Sequence, residues 1–496
     1  MVTKYVAGDG TGDYDADGTA DNVPINQALS YANTYGTPAS PVTIYLRGPY
    51  TYDLASWLLF GSNTILTGDT TAKLRLTDGA GWANIYTETD PGTEPLIKQL
   101  VSPIENVEIY GFEIDGNDTN QTGYIGGKLN YIIAYFLYCT NIRVHDMYLH
   151  DNLSDALRLD HCDGMYFYNN VVERTGHEGC YYIRSQNGEI YGNNTLIRRN
   201  SAHRLWNTGN VKIHDNYMEP YALTSISGNP GIQIEHSDVA YDMSGIEIYN
   251  NEMVNTWGEA FWIIEYGTGY QQSNKGLYVH DNSMSGAGRI TTIPYNSGIA
   301  ISGWNGARFE DNIIQNCYNC GFLVYAAPTS GTSTLYLKNN TITGTLETLA
   351  TAEANIKTWT GYGVSCPTGL NTTIQAVGNT LTGNINGDYY GEIEYIDFIR
   401  IVSSMGMYAA EPTMLATPYT DEEDVEDGDQ GLMLPTADGY AFQKFEAPVV
   451  GGKALIYPAH ARGEYYLLRV AETVEDGQKV IAVPDKKGNY WPILAK

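Results

Sequence analysis

Ile142-Arg-Val-His-Asp-Met147, Met165-Tyr-Phe-Tyr-Asn-Asn170, Gly188-Glu-Ile-Tyr-Gly-Asn193 and Val211-Lys-Ile-His-Asp-Asn216 begin 23 residues apart each time. A repeat of that length marks a solenoid, whose units bury their apolar faces only by stacking on one another. The pattern continues at wider spacing through Ile246-Glu-Ile-Tyr-Asn-Asn251, Leu277-Tyr-Val-His-Asp-Asn282, Ala307-Arg-Phe-Glu-Asp-Asn312, Leu335-Tyr-Leu-Lys-Asn-Asn340 and Ile374-Gln-Ala-Val-Gly-Asn379. Apolar positions fall two apart, the period of a strand with one buried face, and a helical repeat would need them three and four apart. The Asn or Asp pair that closes each unit suits a turn, because Asn bonds nearby backbone and tolerates the left-handed region. Stacked turns also let each Asn amide bond the next. The expected fold is all-β: a right-handed parallel β-helix, a single-stranded solenoid rising roughly 4.8 Å per coil.

A second strand follows each Asn turn by about eight residues. These strands run Asp155-Ala-Leu-Arg-Leu-Asp160, Glu178-Gly-Cys-Tyr-Tyr-Ile183, Ser201-Ala-His-Arg-Leu-Trp206, Pro230-Gly-Ile-Gln-Ile-Glu235 and Glu259-Ala-Phe-Trp-Ile-Ile264. The second column is always Gly or Ala, so the backbone passes close to something there. The third and fifth columns face the core, which places His203 inside. The first, fourth and sixth columns are expected to point outward: Asp155, Glu178, Ser201 and Glu259; Arg158, Tyr181, Arg204, Gln233 and Trp262; Asp160, Trp206 and Glu235. Outward positions of the later coils (Ala300, Leu323, Val364) are small or apolar, as in scaffold or a subunit contact.

Of fourteen Arg, six lie between Arg158 and Arg204, where no Lys occurs. Fixed planar cations in so acidic a chain point to carboxylate or sulfate groups on a ligand, or to cross-coil ion pairs with Asp160 and Glu235. The formal net charge of -29 argues against nucleic acid as a partner. Tyr is abundant, 41 against 10 Phe, which suits either sugar stacking or a solenoid exterior. Six scattered Cys imply no disulfide framework, and the single Cys317-x-x-Cys320 pair makes a poor zinc site. No apolar run reaches the length of a membrane span, so no membrane insertion is expected. The start, Met1-Val-Thr-Lys-Tyr5, lacks a signal-peptide pattern. An extracellular or cell-surface location is expected all the same, or one on a virus particle, and a homo-oligomer such as a trimer is compatible with the composition.

Four regions are expected: an N-terminal cap over 1–40, the β-helix over 41–418, an acidic linker over 419–438 and a small β domain over 439–496. The cap contains a helix from Val23 to Tyr35, whose Ile25, Ala28, Leu29 and Ala32 plug the open end of the solenoid. Asp13, Asp15 and Asp17 match the start of a calcium loop, but Pro24 stands where the bidentate Glu belongs. No cofactor is required, and structural calcium is the one metal the pattern admits.

Glycoside hydrolysis needs a carboxylic acid and a carboxylate flanking the scissile bond. Asp155 and Glu178 share a column on neighbouring coils, close enough for one to raise the pKa of the other. Glu178 is expected as acid and Asp155 as nucleophile or base, with Glu235 and Asp160 in reserve and His177 able to tune or replace Glu178. Arg158, Arg204 and Gln233 would hold uronate or acetamido groups, Tyr181, Trp206 and Trp262 would stack on rings, and Arg184, His236 and Glu265 complete the expected substrate-binding set. A polysaccharide lyase would instead use Tyr181 with Arg158 or Arg204.

Lys4-Tyr-Val-Ala-Gly-Asp-Gly-Thr-Gly-Asp13, Ile109-Tyr-Gly-Phe-Glu-Ile-Asp-Gly-Asn117, Val144-His-Asp-Met147, Gly176-His-Glu-Gly179 and Gly231-Ile-Gln-Ile-Glu235 resemble the disaggregatase and disaggregatase-related family of methanogenic archaea, over roughly residues 4 to 320. The resemblance implies a secreted β-helix enzyme, an endo-acting glycoside hydrolase that depolymerises methanochondroitin, the acidic chondroitin-like matrix of archaeal aggregates. The family's commoner form at residues 176–179 is Gly-His-Asp-Gly, so Glu178 departs from it by one methylene. The acidic linker and terminal domain lie outside the resemblance, which leaves a virion-borne tail spike or adhesin as an alternative, beside a lyase on the same polymer that would share the architecture.

Overall fold

The computed structural model describes residues 2–80, 95–121, 131–222, 230–265, 276–290, 296–302, 304–328, 331–346, 358–395, 431–436, 439–444, 479–484 and 490–495. The chain divides into two compact units, Met1–Glu394 and Tyr395–Lys496.

The first unit is a right-handed parallel β-helix. Three sheets of 15, 12 and 12 strands run its length among the described residues. Thr140–His145, Asp163–Tyr168, Gln186–Tyr191 and Gly209–His214 belong to the first sheet, paired in parallel. The second contains Tyr148–Asn152, Val171–Thr175, Asn194–Ile197 and Tyr217–Pro220. In the third lie Leu157–Asp160, Cys180–Ile183, His203–Trp206, Ile232–His236 and Phe261–Glu265. Each coil thus carries three strands where the alternation marked two. The strand that went unseen abuts the Asn turn and turns a single large apolar side chain inward, such as Leu149, Val172, Met218 or Met253. A lone apolar residue produces no alternation to read.

The Asn column forms a buried amide ladder. Asn193 Nδ2 donates to Asn216 Oδ1 at 2.9 Å, and the same relation continues from Asn216 to Asn251, Asn282, Asn312, Asn340 and Asn379 at 2.9–3.0 Å. Each Oδ1 also accepts the backbone N–H of the preceding rung, as Asn193 N does at 3.0 Å to Asn216. The left-handed turn itself falls one residue earlier, at Asp146, Asn169, Asp215, Asn250 and Asp281. The closing pair therefore divides its labour: the fifth residue bends the chain and the sixth ties one coil to the next.

Leu157, Leu159, Ile232, Ile234, Phe261 and Ile263 fill the core from the third sheet. Val364, expected outside, is a correction: it pairs with Phe322 and lies in the core, and Ser365 holds the outward place. The small second column is explained by neighbouring coils, since a Cβ on Gly179 would lie 2.5 Å from the Ala202 carbonyl oxygen. On the first sheet Tyr110, His145, Tyr168, Tyr191, His214, Tyr249 and His280 stack with ring centroids 4.4–5.2 Å apart. Part of the Tyr excess is therefore spent on a ring ladder away from the third sheet.

The cap helix runs Asn22–Tyr35 and buries Ile25, Ala28, Leu29 and Ala32. Asp21 ties it down, accepting the N–H groups of Asp17 and Gly18 with one oxygen and that of Asp53 with the other. All six Cys are free and buried. No described helix is long and apolar enough to cross a membrane.

The last described strand of the first unit's sheets is Ile393–Tyr395. In the second unit two antiparallel hairpins are described, Gly431–Thr436 with Gly439–Lys444 and Lys479–Pro484 with Tyr490–Ala495. The first of these strands lies within the expected linker, residues 419–430 of which fall outside the described residues, as do residues 445–478 of the expected small β domain.

Candidate active site

Strand pairing aligns Tyr135, Arg158, Tyr181, Arg204, Gln233, Trp262, Ala300 and Leu323 in one outward row of the third sheet. A second row aligns Leu137, Asp160, Ile183, Trp206, Glu235 and Ile264. The register places the predicted residues on one side of the solenoid, but their exposure differs from expectation. Arg158, Tyr181, Gln233, Asp160, Glu235, His236 and Glu265 are buried, as are Ala300 and Leu323. Arg204, Trp206 and Trp262 are half-buried.

Asp155 and Glu178 require the main correction. Both are fully buried, at 0% exposure, so they do not line an open groove as a facing pair. Asp155 Oδ1 accepts from His177 Nδ1 at 2.7 Å and from the Glu178 N–H at 2.9 Å. Its Oδ2 accepts from Arg158 Nε at 2.6 Å, with Nη2 at 2.5 Å. Burial alone would push this carboxyl up, but the Arg158 charge and the hydrogen bonds from His177 and the Glu178 N–H outweigh it and hold Asp155 at about 2. Glu178 is equally engaged. Its Oε2 takes the Ser201 N–H at 2.7 Å and the Ser201 hydroxyl, while Oε1 takes Arg204 Nη1 at 2.8 Å and the Asn200 amide. The reason lies in the first column, where each side chain accepts the backbone N–H one coil further on, Asp155 that of Glu178 and Glu178 that of Ser201.

The group left with a usable nitrogen is His177. Its Nδ1 faces Asp155, so its Nε2 is the acceptor, 3.3 Å from Asn200 Nδ2 and 3.8 Å from Glu178 Oε1. The ring is partly open, its side chain 15% exposed. Tyr181 stands 6.4 Å away, centroid to centroid, between the guanidinium groups of Arg158 and Arg204, at 5.0 and 4.7 Å. Burial pushes the Tyr181 phenol well above its ordinary range. That works against Tyr181 as a base.

The arginines are mostly spoken for. Arg204 bridges Glu178 and Glu235, its Nη2 2.6 Å from Glu235 Oε2, and the Gln233 amide donates to the other Glu235 oxygen. Arg184 Nη2 lies 2.7 Å from Asp160 Oδ2, Arg174 pairs with Asp151, and Arg198 with Asp118. Five of the six therefore carry an internal carboxylate partner, and the cross-coil ion-pair reading accounts for much of the cluster. Trp206 Nε1 donates to Ser237 Oγ at 2.6 Å, and Trp262 Nε1 to Tyr325 Oη at 3.2 Å. His236 Nε2 lies 3.1 Å from the Asp238 carbonyl oxygen. His203 is enclosed in the core, where burial pushes its ring down to about 3.

Asn200, Ser237 and Tyr241 are site neighbours that sequence reasoning passed over. The lengthened repeat between Asn216 and Asn251 was the available signal for the last two. Asp13, Asp15 and Asp17 do not converge. Asp13 is engaged by Lys4 Nζ and the Tyr5 N–H, and Asp17 caps the Thr19 N–H. Among the described residues only Glu113, Asp115 and His150 bring three ligand atoms within 4.8 Å of one another. Lys73 Nζ lies 2.5 Å from Glu113 there and supplies the positive charge itself.

Fold and outward face together define a right-handed parallel β-helix with a row of charged and aromatic side chains along its third sheet. Within it, residues 243–397 match the model of the family described as disaggregatase related. That stretch overlaps the resembling one from 243 to 320 and begins beyond Asp155, His177, Glu178 and Glu235. No curated protein matches the chain. Among solved structures, the A-module of a mannuronan C-5 epimerase from Azotobacter vinelandii aligns over 77% of this chain and 96% of its own, at 14% identity and a TM-score of 0.51. The family 28 exopolygalacturonase of Yersinia enterocolitica aligns over 79% and 78%, at 11% identity and a TM-score of 0.51. Pre-mature bacteriophage phi29 gene product 12 aligns over 77% and 50%, at 15% identity and a TM-score of 0.51. At such identities these likenesses concern the fold.

Proposed function

We propose that this chain depolymerises an acidic polysaccharide laid along the third sheet, with His177 as the group that moves the proton. The observation that carries this reading is the Arg158–Asp155–His177 chain. A buried carboxylate fixed by an arginine holds a partly exposed imidazole by its Nδ1, which leaves Nε2, now facing the Asn200 amide, as the basic nitrogen a general base requires. Two of the structural neighbours act, by their names, on mannuronan and on polygalacturonate, both uronic acid polymers. The disaggregatase-related match supports a finer proposal, a chondroitin-like archaeal matrix such as methanochondroitin as substrate, reached outside the cell.

Hydrolysis uses His177 to deprotonate the attacking water. Elimination uses it to take the proton α to a uronate carboxylate, the pair forming a double bond as the glycosidic oxygen leaves and takes up a proton from the His177 imidazolium or from solvent. The saturation of Asp155 and Glu178 favours elimination as a second reading, since a hydrolase needs a carboxyl free to protonate the leaving oxygen. Incubation with polygalacturonate and with chondroitin separates the outcomes. New reducing ends with ultraviolet absorbance of an unsaturated uronate indicate elimination, and reducing ends alone indicate hydrolysis. Neither, with binding retained, overturns the enzyme reading in favour of a glycan-binding spike or adhesin.

A further inference from the structure

At the far end of the third-sheet strands the chain turns on residues that turns rarely tolerate. Of 25 non-glycine residues with positive φ among the described residues, 19 are Asn or Asp. Three of the six exceptions, Tyr138 (φ 56°), His161 (φ 53°) and Arg184 (φ 48°), occupy the same corner on successive coils, followed in line by Asn207 (φ 51°). Their register is set by backbone bonds from Tyr138 to Asp160, His161 to Ile183, Arg184 to Trp206 and Asn207 to Glu235. Bulky side chains held left-handed are an outlier that points towards a functional use.

The side chains at this corner face one another. The Tyr138 and His161 rings lie 4.7 Å apart, and Tyr138 is 52% exposed. His161 Nδ1 is 2.7 Å from Asp160 Oδ1, a close contact with the ring N–H off line, so both atoms stay without an aligned hydrogen bond. Asp160 Oδ2 holds one Arg184 nitrogen, while Arg184 Nε is buried and unpartnered. The segment after His236 turns back to this corner. Asn207 Oδ1 takes the N–H groups of Ser237 and Asp238, and Tyr241 Oη reaches His161 Nε2 at 3.1 Å, spanning three coils. Asp238 also faces Tyr241, so the corner is not uniformly cationic.

We infer that Tyr138, His161, Arg184 and Tyr241 form a sugar subsite that selects for an anionic residue of the glycan, its ring against Tyr138 and its carboxylate or sulfate at Arg184. Arg184 suits this because its side chain is 39% exposed, against 9% for Arg158, 24% for Arg174, 19% for Arg198 and 15% for Arg204. Six residues of strand separate Asp155 from His161, roughly 20 Å. The subsite therefore grips a sugar several rings from the one His177 addresses. This rests on the glycan reading above, and binding tests it independently of turnover.

The experiment is calorimetric titration of the full chain with an oligogalacturonate, a chondroitin sulfate oligosaccharide and a carboxyl-reduced, neutral oligogalacturonate. Wild type is expected to bind at least one charged probe more tightly than the neutral one. Arg184→Ala is expected to weaken the preferred charged probe about tenfold and leave the neutral probe unchanged. Tyr138→Ala, at an exposed position, is expected to weaken both. Preference for the oligogalacturonate identifies a carboxylate subsite, and preference for the sulfated probe a sulfate one. Equal affinity for charged and neutral probes, unaltered binding by a folded Arg184→Ala, or no binding of either charged probe overturns the proposal. Binding without cleavage refutes the depolymerase reading and leaves the subsite standing.

Discussion

Asp155 Oδ1 and His177 Nδ1 lie 2.7 Å apart across two successive coils, with Arg158 on the other Asp155 oxygen. The carboxylate cannot move towards a substrate, and the imidazole cannot turn without losing its partner. His177→Gln is therefore expected to lower kcat by roughly 10²–10⁴ in a chain that still folds, with at most a small drop in melting temperature from the altered hydrogen bond to Asp155. Steady-state kinetics beside thermal unfolding checks this, and an active variant removes His177 from the chemistry.

Asp155→Asn acts on stability as well. It leaves Arg158 buried beside a neutral amide, which is expected to cost about 3–5 kcal/mol. The low carboxyl, about 2 against 3.8, contributes stability that is fully present above pH 3.8 and is lost as pH falls through about 2. Denaturant titrations of wild type and variant should converge in that acid window. Parallel curves throughout would show that the buried pair contributes nothing.

Burial pushes the Glu259 carboxyl up to about 8, from 4.5. The folded chain keeps this proton while the unfolded chain releases it, so stability declines as pH rises from about 4.5 to 8. Glu259→Gln mimics the protonated form and is expected to stabilise the protein at pH 7 by roughly 1–3 kcal/mol and to flatten that decline. Unfolding midpoints across the range decide it, and an unchanged slope counts against a buried neutral acid.

His203 has both ring nitrogens buried and unpartnered, and burial holds it at about 3 rather than 6.5. The unfolded chain takes up a proton below pH 6.5 that the native chain refuses, so stability falls as pH drops towards 3. His203→Leu should be more stable than wild type, by roughly 2 kcal/mol more at pH 5 than at pH 7. A gap that does not widen in acid contradicts the assignment.

Asn251 sits mid-ladder, its Oδ1 taking both the backbone N–H and the side-chain amide of Asn216. Asn251→Ala leaves those donors buried without acceptors and is expected to cost roughly 2–3 kcal/mol. Asn379→Ala, at a half-buried rung where fewer coils follow, should cost less. Equal costs would show that the ladder is not cooperative along the axis.

The coil and its turn were legible because both repeat: alternation around Ile142 and Val144 gave the strand, and the recurring Asn gave the ladder. The short second-sheet strand escaped because one inward residue per coil carries no period. Column order gathered the predicted residues on one face of the solenoid and placed His203 in the core. It could not reveal that Asp155 and Glu178 face the N–H groups of the next coil, since outward of the core and open to solvent look alike in a sequence. Nor could it show that Arg204 is shared between Glu178 and Glu235, or that a longer repeat returns Tyr241 to His161, because these contacts depend on three-dimensional stacking.

The central claim, acid–base cleavage of an acidic glycan at His177, is tested most directly by timed release of reducing ends from polygalacturonate and chondroitin by wild type and His177→Gln side by side. Release by wild type and at least a hundredfold slower release by the folded variant are expected. Equal rates, or no release by wild type from either polymer, would contradict it.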